Sequence, residues 1–183
     1  MLKARAVSCK LILTLVMAFA SPHLFGVQTA RADSVIKTIT VGTGPYGDLF
    51  DPDNGYIYVA NANNPEPSVS VIDGSTNTVI ATINDQMGPR ELAFDSNNGY
   101  IYVADVGCCV SAIDGRTNKL VTSIPTGGSF VDGVAYDSSN NNIYAVNAGS
   151  GTVSVIDGST NKVTGTIPVG GNPLVDTFDP DDG

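Results

Sequence analysis

Histidine is almost absent from this 183-residue chain, with His23 the single example, and tryptophan is missing altogether. His23 falls in an N-terminal stretch that reads as a leader, so the mature sequence would carry no imidazole. That excludes Ser-His-Asp and Cys-His nucleophiles, histidine acid–base catalysis and His-ligated metals. Cysteine is scarce too: Cys9 in the leader, then the adjacent pair Cys108 and Cys109. That pair has no third partner, so two states stay open. One is free thiols or an intermolecular bridge; the other is a vicinal disulfide, whose small ring departs from ordinary disulfide geometry. There is no N-x-[ST] acceptor for glycosylation and no glycine-rich phosphate loop ahead of a helix. Outside the first 30 residues no window shows a sustained helical apolar period.

What is present at the N-terminus is a targeting pattern. Lys3, Arg5 and Lys10 precede a ten-residue apolar core, Leu11 to Ala20, too short to span a bilayer comfortably. Small-residue sites follow at Ala18-Phe19-Ala20 and Ala30-Arg31-Ala32, and cleavage is expected after Ala32. Residues 1–32 are therefore assigned as a secretion signal peptide and 33–183 as the mature domain, secreted, periplasmic or at the cell surface. No transmembrane segment is expected in the mature chain. Four of the nine basic residues lie in the leader, leaving five against all 18 acidic residues, a net charge of −13. Such a surface argues against nucleic acid and anionic membranes as partners.

The mature chain is built on a repeat. VSVIDGSTN (Val69 to Asn77) returns as VSAIDGRTN (Val110 to Asn118) and VSVIDGSTN (Val153 to Asn161). The aspartates Asp73, Asp114 and Asp157 are spaced 41 and 43 residues apart, and the Asp-Gly pair reads as a tight hairpin turn. Around each copy lie three more short alternating segments, giving strands a, b, c and d per unit. Units fall at about 45–84, 88–125 and 129–168, with a fourth opening at 172. Ser34 to Val41 reads as a lone strand d ahead of the first unit. Four antiparallel strands over about 42 residues fit one blade of a β-propeller, and apolar residues at both parities fit a sheet packed on both faces.

The segments Tyr58-Val59-Ala60-Asn61 and Tyr102-Val103-Ala104-Asp105, each followed by V-x-x-I-D-G-x-T-N, resemble the YVTN β-propeller repeat over essentially the whole mature chain. The third copy departs as Tyr144-Ala145-Val146-Asn147, and GGSFVDG (127–133) lacks the proline of GTGPYG, MGPREL and GGNPLV. The resemblance implies an exported or cell-surface propeller, surface-layer-like, and no common reaction. The fold expected is all-β: about three complete four-stranded antiparallel blades plus flanking strands, a fragment of a larger ring. The sequence stops at Gly183 inside a DPDDG turn where the period expects YIYVAN. A truncated chain is expected, with open blade edges through which it could associate.

The a–b turns (DPDNG, DSNNG, DPDDG) and c–d turns (DGSTN, DGRTN) barely vary, and by family geometry they share one face. The b–c loops (ANNPEP, VGCC, AGSG) and d–a loops share the other and vary strongly. Uniform turns read as scaffold, whereas variable loops on a rigid scaffold are where recognition sits. The candidates for ligand or partner binding are Tyr46, Asn61, Asn63, Arg90, Glu91, Asp105, Phe130 and Asn147. Asp51, Asp53, Asn54 and Gly55 imitate the start of a calcium loop but lack its closing acid, so no metal and no cofactor is assigned. No catalytic residue is named. The expected function is non-enzymatic: binding of a protein, glycan or small ligand through one propeller face, or a structural role at the cell surface. The alternative is an enzyme on the same scaffold, a lyase, hydrolase or redox-cofactor protein with its catalytic groups in missing blades.

Overall fold

The computed structural model describes residues 34–63, 65–84 and 87–174. The leader and its cleavage site, and nearly all of the fourth unit, lie outside the described residues. Twelve strands are present: β1 (Pro45–Asp51), β2 (Tyr56–Asn61), β3 (Ser68–Asp73), β4 (Thr78–Asn84), β5 (Pro89–Asp95), β6 (Tyr100–Asp105), β7 (Cys109–Asp114), β8 (Lys119–Pro125), β9 (Val131–Asp137), β10 (Asn142–Asn147), β11 (Thr152–Asp157) and β12 (Lys162–Pro168). They form three four-stranded antiparallel sheets, each in simple chain order: β1 to β4, β5 to β8 and β9 to β12. The first strands lie side by side, β1 against β5 and β5 against β9. The last strands are outermost, which is why Ile80, Leu120 and Val121 remain exposed. Among the described residues no helix is long and apolar enough to cross a membrane.

The middle sheet shows why YIYVAD has no polar parity. Ile101 and Val103 face one neighbour and Tyr102 and Ala104 the other, and all four are fully buried. Ile101, Val103, Leu92 and Ile113 pack with Tyr58, Ala60, Val69, Val71 and Ile83 of the first sheet. Tyr102, Ala104, Val110, Ala112 and Ile124 pack with Val131, Val134, Ile143, Ala145 and Ile156 of the third. Each fully buried Val or Ile contributes roughly 1.5–3 kcal/mol, so the inter-sheet layers are the main source of stability.

One turn design joins the strands. In DGSTN, Asp73 Oδ1 accepts from Ser75 N at 2.8 Å, and the Asn77 amide donates to the Asp73 carbonyl at 2.8 Å. The same pattern closes Asp51–Gly55 and Asp95–Gly99, with the residue four on from the aspartate in the left-handed region: Gly55 (φ 76), Gly99 (φ 75), Asn77 (φ 53), Asn118 (φ 54) and Asn161 (φ 55). This corrects the expected two-residue Asp-Gly turn. The left-handed residue is the asparagine, and the glycine is needed for another reason. A Cβ on Gly158 would lie 2.8 Å from Asp95 Oδ2 and 2.9 Å from the Asn141 carbonyl. A Cβ on Gly115 would meet the Gly99 carbonyl at 2.8 Å.

That close approach lets one sheet latch the next. Tyr58 Oη donates to Asn118 Oδ1 at 2.7 Å, and Asn54 Nδ2 donates to the Gly115 carbonyl at 3.0 Å. One unit on, Tyr102 Oη donates to Asn161 Oδ1 at 2.7 Å and Asn98 Nδ2 to the Gly158 carbonyl at 3.1 Å. Burial pushes both tyrosines up to about 12. The expected strand at Ser34 to Val41 does not form: residues 34–44 carry no strand. A segment of that kind has no stability of its own without a neighbour to complete its ladder.

Candidate binding site

The end of the sheets carrying the b–c and d–a loops is assembled from the starts of β1, β5 and β9. Each of these strands has a bulge there: the register with its partner slips between Pro45 and Asp48, between Pro89 and Leu92, and between Asn147 and Val146 opposite β9. Bulges re-aim side chains at sheet ends. Counting inward from the shared pairs Pro45–Asn61, Pro89–Asp105 and Val131–Asn147, the next residue is Tyr46, Arg90 and Asp132 in turn. One position in three successive repeats thus holds an aromatic, a cation and an anion.

These three meet. The Arg90 guanidinium carbon is 4.8 Å from the Tyr46 ring centroid and 5.3 Å from that of Phe130. The rings come from the units on either side of Arg90. Arg90 Nη1 lies 2.9 Å from Asp132 Oδ1, an ion pair by distance without hydrogen-bond alignment, and Nε is buried without a partner. Asp132 is 5% exposed in its side chain and Arg90 26%. Gly47 makes room for this strand pairing, since a Cβ there would sit 2.3 Å from the Arg90 carbonyl. Glu91 is held above the usual carboxylate range, first by burial and then by the charges of Asp132 and Asp48.

Phe130 is the least expected member. The d–a and b–c loops pair through the same bonds in every unit: Ala62 N to Gly44 O, Val106 N to Gly88 O, Ala148 N to Phe130 O. The carbonyl-bearing residue is left-handed each time, with φ 64 at Gly44, 80 at Gly88 and 57 at Phe130. A bulky residue there costs on the order of 1–2 kcal/mol relative to glycine. The missing proline of GGSFVDG marks the one repeat that places an exposed ring at this point.

Beside the cluster runs a groove of about 550 Å³ between the first two sheets. Tyr46, Asn63, Pro67, Met87, Arg90 and Val106 line it. Its size falls within the range of small-molecule and peptide sites.

The candidates from sequence divide into two sets. Tyr46, Asn63, Arg90, Glu91 and Phe130 are at this face. Asn61, Asp105 and Asn147 end their b strands fully buried. Asn61 Nδ2 donates to Ser70 Oγ at 3.0 Å, Asn147 Nδ2 to Ser154 Oγ at 2.9 Å, and Ser111 Oγ donates to Asp105 Oδ2 at 2.6 Å. They tie strand b to strand c beneath the loops. Asp132, Met87, Pro67 and Val106 were missed; only the bulge register aligns Asp132 with Arg90. Cys108 and Cys109 are joined as a disulfide between neighbouring residues, with Cys109 buried. At the opposite face, Asp51 spends its oxygens on the turn, Oδ1 on Asp53 N at 2.9 Å and Oδ2 on Asn54 Nδ2 at 2.7 Å. Burial raises its carboxyl above the ordinary range. Among the described residues no group of three His, Cys, Asp or Glu side chains could hold a metal ion.

No family model and no curated protein matches the chain. Solved structures do. The chain is similar to hydrazine synthase of Kuenenia stuttgartiensis (TM-score 0.69, 19% identity, 81% of this chain and 43% of that one). It is also similar to U3-55K (TM-score 0.63, 14% identity, 72% and 41%) and to the RRP9 WD40 repeats (TM-score 0.60, 14% identity, 72% and 40%). The chain thus spans about two fifths of the length of these structures. At such identities the likeness concerns the fold alone, and with three four-stranded antiparallel sheets the fold is that of β-propeller blades.

Proposed function

We propose that this chain is an exported, non-enzymatic propeller protein of the YVTN type, and that it binds a partner through the face carrying Tyr46, Arg90 and Phe130. The observation that carries this reading is the left-handed Phe130. Two repeats use glycine at that point, and a third spends stability to set a ring beside an arginine already flanked by Tyr46. Backbone strain that the scaffold does not need collects at functional sites. Arginine and tyrosine beside a groove are the residue types that dominate binding energies.

A catalytic reading finds less support. The described residues of this face bring together no nucleophile with a base, and the hydrazine synthase likeness carries no step of that reaction to this chain. A role at the cell surface rests on the leader pattern, and amino-terminal sequencing of the protein recovered outside the cytoplasm, starting at Asp33, is its test. The binding reading is tested by probing protein and glycan arrays with the wild-type chain, Arg90→Ala, Phe130→Asn and, on the other face, Arg116→Ala. Signals lost in the first two variants and kept in the third are expected. Equal signals from all four proteins would remove the site.

A further inference from the structure

The charges around the groove narrow the class of partner. Among the described residues Arg90 is the one cation of this face. Lys37 reaches the Thr76 carbonyl in a c–d turn, Arg116 sits in another, and Lys119 and Lys162 open the strands that leave such turns. Asp48, Glu66, Glu91 and Asp132 all lie on the Arg90 side: Asp48 within β1, Glu91 next to Arg90, and Glu66 next to the groove residue Pro67. Asp132 neutralises Arg90 and leaves an excess of carboxylates at the mouth.

The walls and the donors point to an extended chain. Pro67, Met87 and Val106 offer apolar contact, and Tyr46 offers an exposed ring. Asp132 lies 2.9 Å from one end of the Arg90 guanidinium without an aligned hydrogen bond, and Arg90, with five N–H donors, remains partly exposed. Flanking rings and the ion pair hold its fork in place, so little side-chain freedom is lost when a carbonyl oxygen arrives. An extended peptide supplies such carbonyls, because its backbone has no internal hydrogen bonds. A dianionic phosphate would be repelled by the surrounding carboxylates.

We infer that the groove beside Arg90 takes an extended peptide segment of a partner protein, with apolar or proline residues against Tyr46, Pro67 and Met87, a backbone carbonyl on Arg90 and a Lys or Arg side chain over Asp48 and Glu91. This rests on the binding face proposed above and names its occupant by charge complementarity and groove chemistry.

The test is to pan a random linear dodecapeptide phage library against the full chain, then measure synthetic copies of the enriched peptides by fluorescence anisotropy. Enriched clones should carry Lys or Arg within two residues of Pro, Leu or another apolar residue. Their affinity should fall at least fivefold in Tyr46→Ala and in Glu91→Gln and stay unchanged in Arg116→Ala. It should also weaken several-fold between 50 and 200 mM salt. Acid-rich clones, clones insensitive to Tyr46→Ala and Glu91→Gln, or no enrichment would overturn the inference. In any of those cases, glycan-array binding lost in Arg90→Ala would keep the wider reading with a different occupant. No binding in either format would sink both.

Discussion

The latch between Tyr102 and Asn161 allows a sharp test of what joins the blades. Tyr102 is fully buried, and its hydroxyl donates to Asn161 Oδ1 at 2.7 Å with the Gly158 carbonyl 3.3 Å away. Tyr102→Phe keeps the ring and its packing and removes only the oxygen. Gly158 still receives Asn98 Nδ2 at 3.1 Å, so the bonds lost are the one to Asn161 Oδ1 and the longer one that Asn98 Nδ2 donates to the Tyr102 hydroxyl at 3.3 Å. A lost buried bond of this kind costs about 1–2 kcal/mol. Asn161→Gly removes the acceptor while keeping the left-handed backbone (φ 55) accessible. It should cost about 1 kcal/mol. If the two act through one bond, the double variant should lose about 1 kcal/mol less than the sum of the singles. Urea unfolding of the four proteins, with equal slopes, gives the coupling directly, and at this size each kcal/mol moves the melting temperature by about 3 °C. Coupling below about 0.3 kcal/mol would refute the latch and leave apolar packing as the whole of the interface. Asn161→Ala should be worse than Asn161→Gly by about 1 kcal/mol, because alanine resists the left-handed conformation.

Phe130→Asn should leave stability unchanged or raise it by up to about 1 kcal/mol, since asparagine tolerates the left-handed region, while abolishing binding at the Arg90 face; clear destabilisation would mean the ring is structural. Gly47→Ala should destabilise by more than about 2 kcal/mol, its Cβ falling on the Arg90 carbonyl, as measured by thermal melting. Alkaline titration should expose Tyr58 and Tyr102. Their folded values, about 12, lie above the ordinary value of 10, so the folded chain holds these protons more tightly than the unfolded one. The stabilisation is complete below pH 10 and is lost as pH rises from 10 to 12, roughly 2–3 kcal/mol per tyrosine. Urea midpoints followed across that window should fall less in Tyr58→Phe and Tyr102→Phe than in the parent chain.

The sequence made the sheets legible because the repeat is written at every level. Alternation sets the strands, aspartate starts each turn and glycine or asparagine ends it. It could not reveal the latch, because the strand tyrosines and turn asparagines that bond, Tyr58 with Asn118 and Tyr102 with Asn161, are about 60 residues apart and belong to different copies. It also misjudged the glycine of DGSTN. A turn glycine invites an argument from φ, whereas here the constraint is the a–b turn carbonyl of its own blade and, at Gly115 and Gly158, an aspartate oxygen of the preceding one. At the binding face, Tyr46, Arg90 and Phe130 stood out by their chemistry. Asn61, Asp105 and Asn147 stood out only by their place at a strand end, which proved to be interior. Asp132 was hidden by the bulge, because a one-residue slip moves a side chain to the other face without changing the motif around it.

The division of labour between the two ends of the blades follows from where strain is tolerated. At the a–b/c–d end the c–d turns of the second and third sheets are locked twice, each by its own aspartate and by the tyrosine of the blade before it. Any change there disturbs two sheets, so the turns are held to one design. At the other end the loops pair in every unit through backbone bonds such as Ala148 N to Phe130 O, which fix backbone atoms but not side chains, and side-chain links such as Ser129 N to Ser150 Oγ are particular to one unit. The position that is glycine in GTGPYG and MGPREL could therefore become phenylalanine for a local cost of on the order of 1–2 kcal/mol, without touching the latches. Arg90, Tyr46 and Asp132 occupy one equivalent site on three strands whose sheets are joined by apolar layers and, at the far end, by those latches. The aromatic–cation–anion array thus rests on a frame built mostly by residues that do not belong to it.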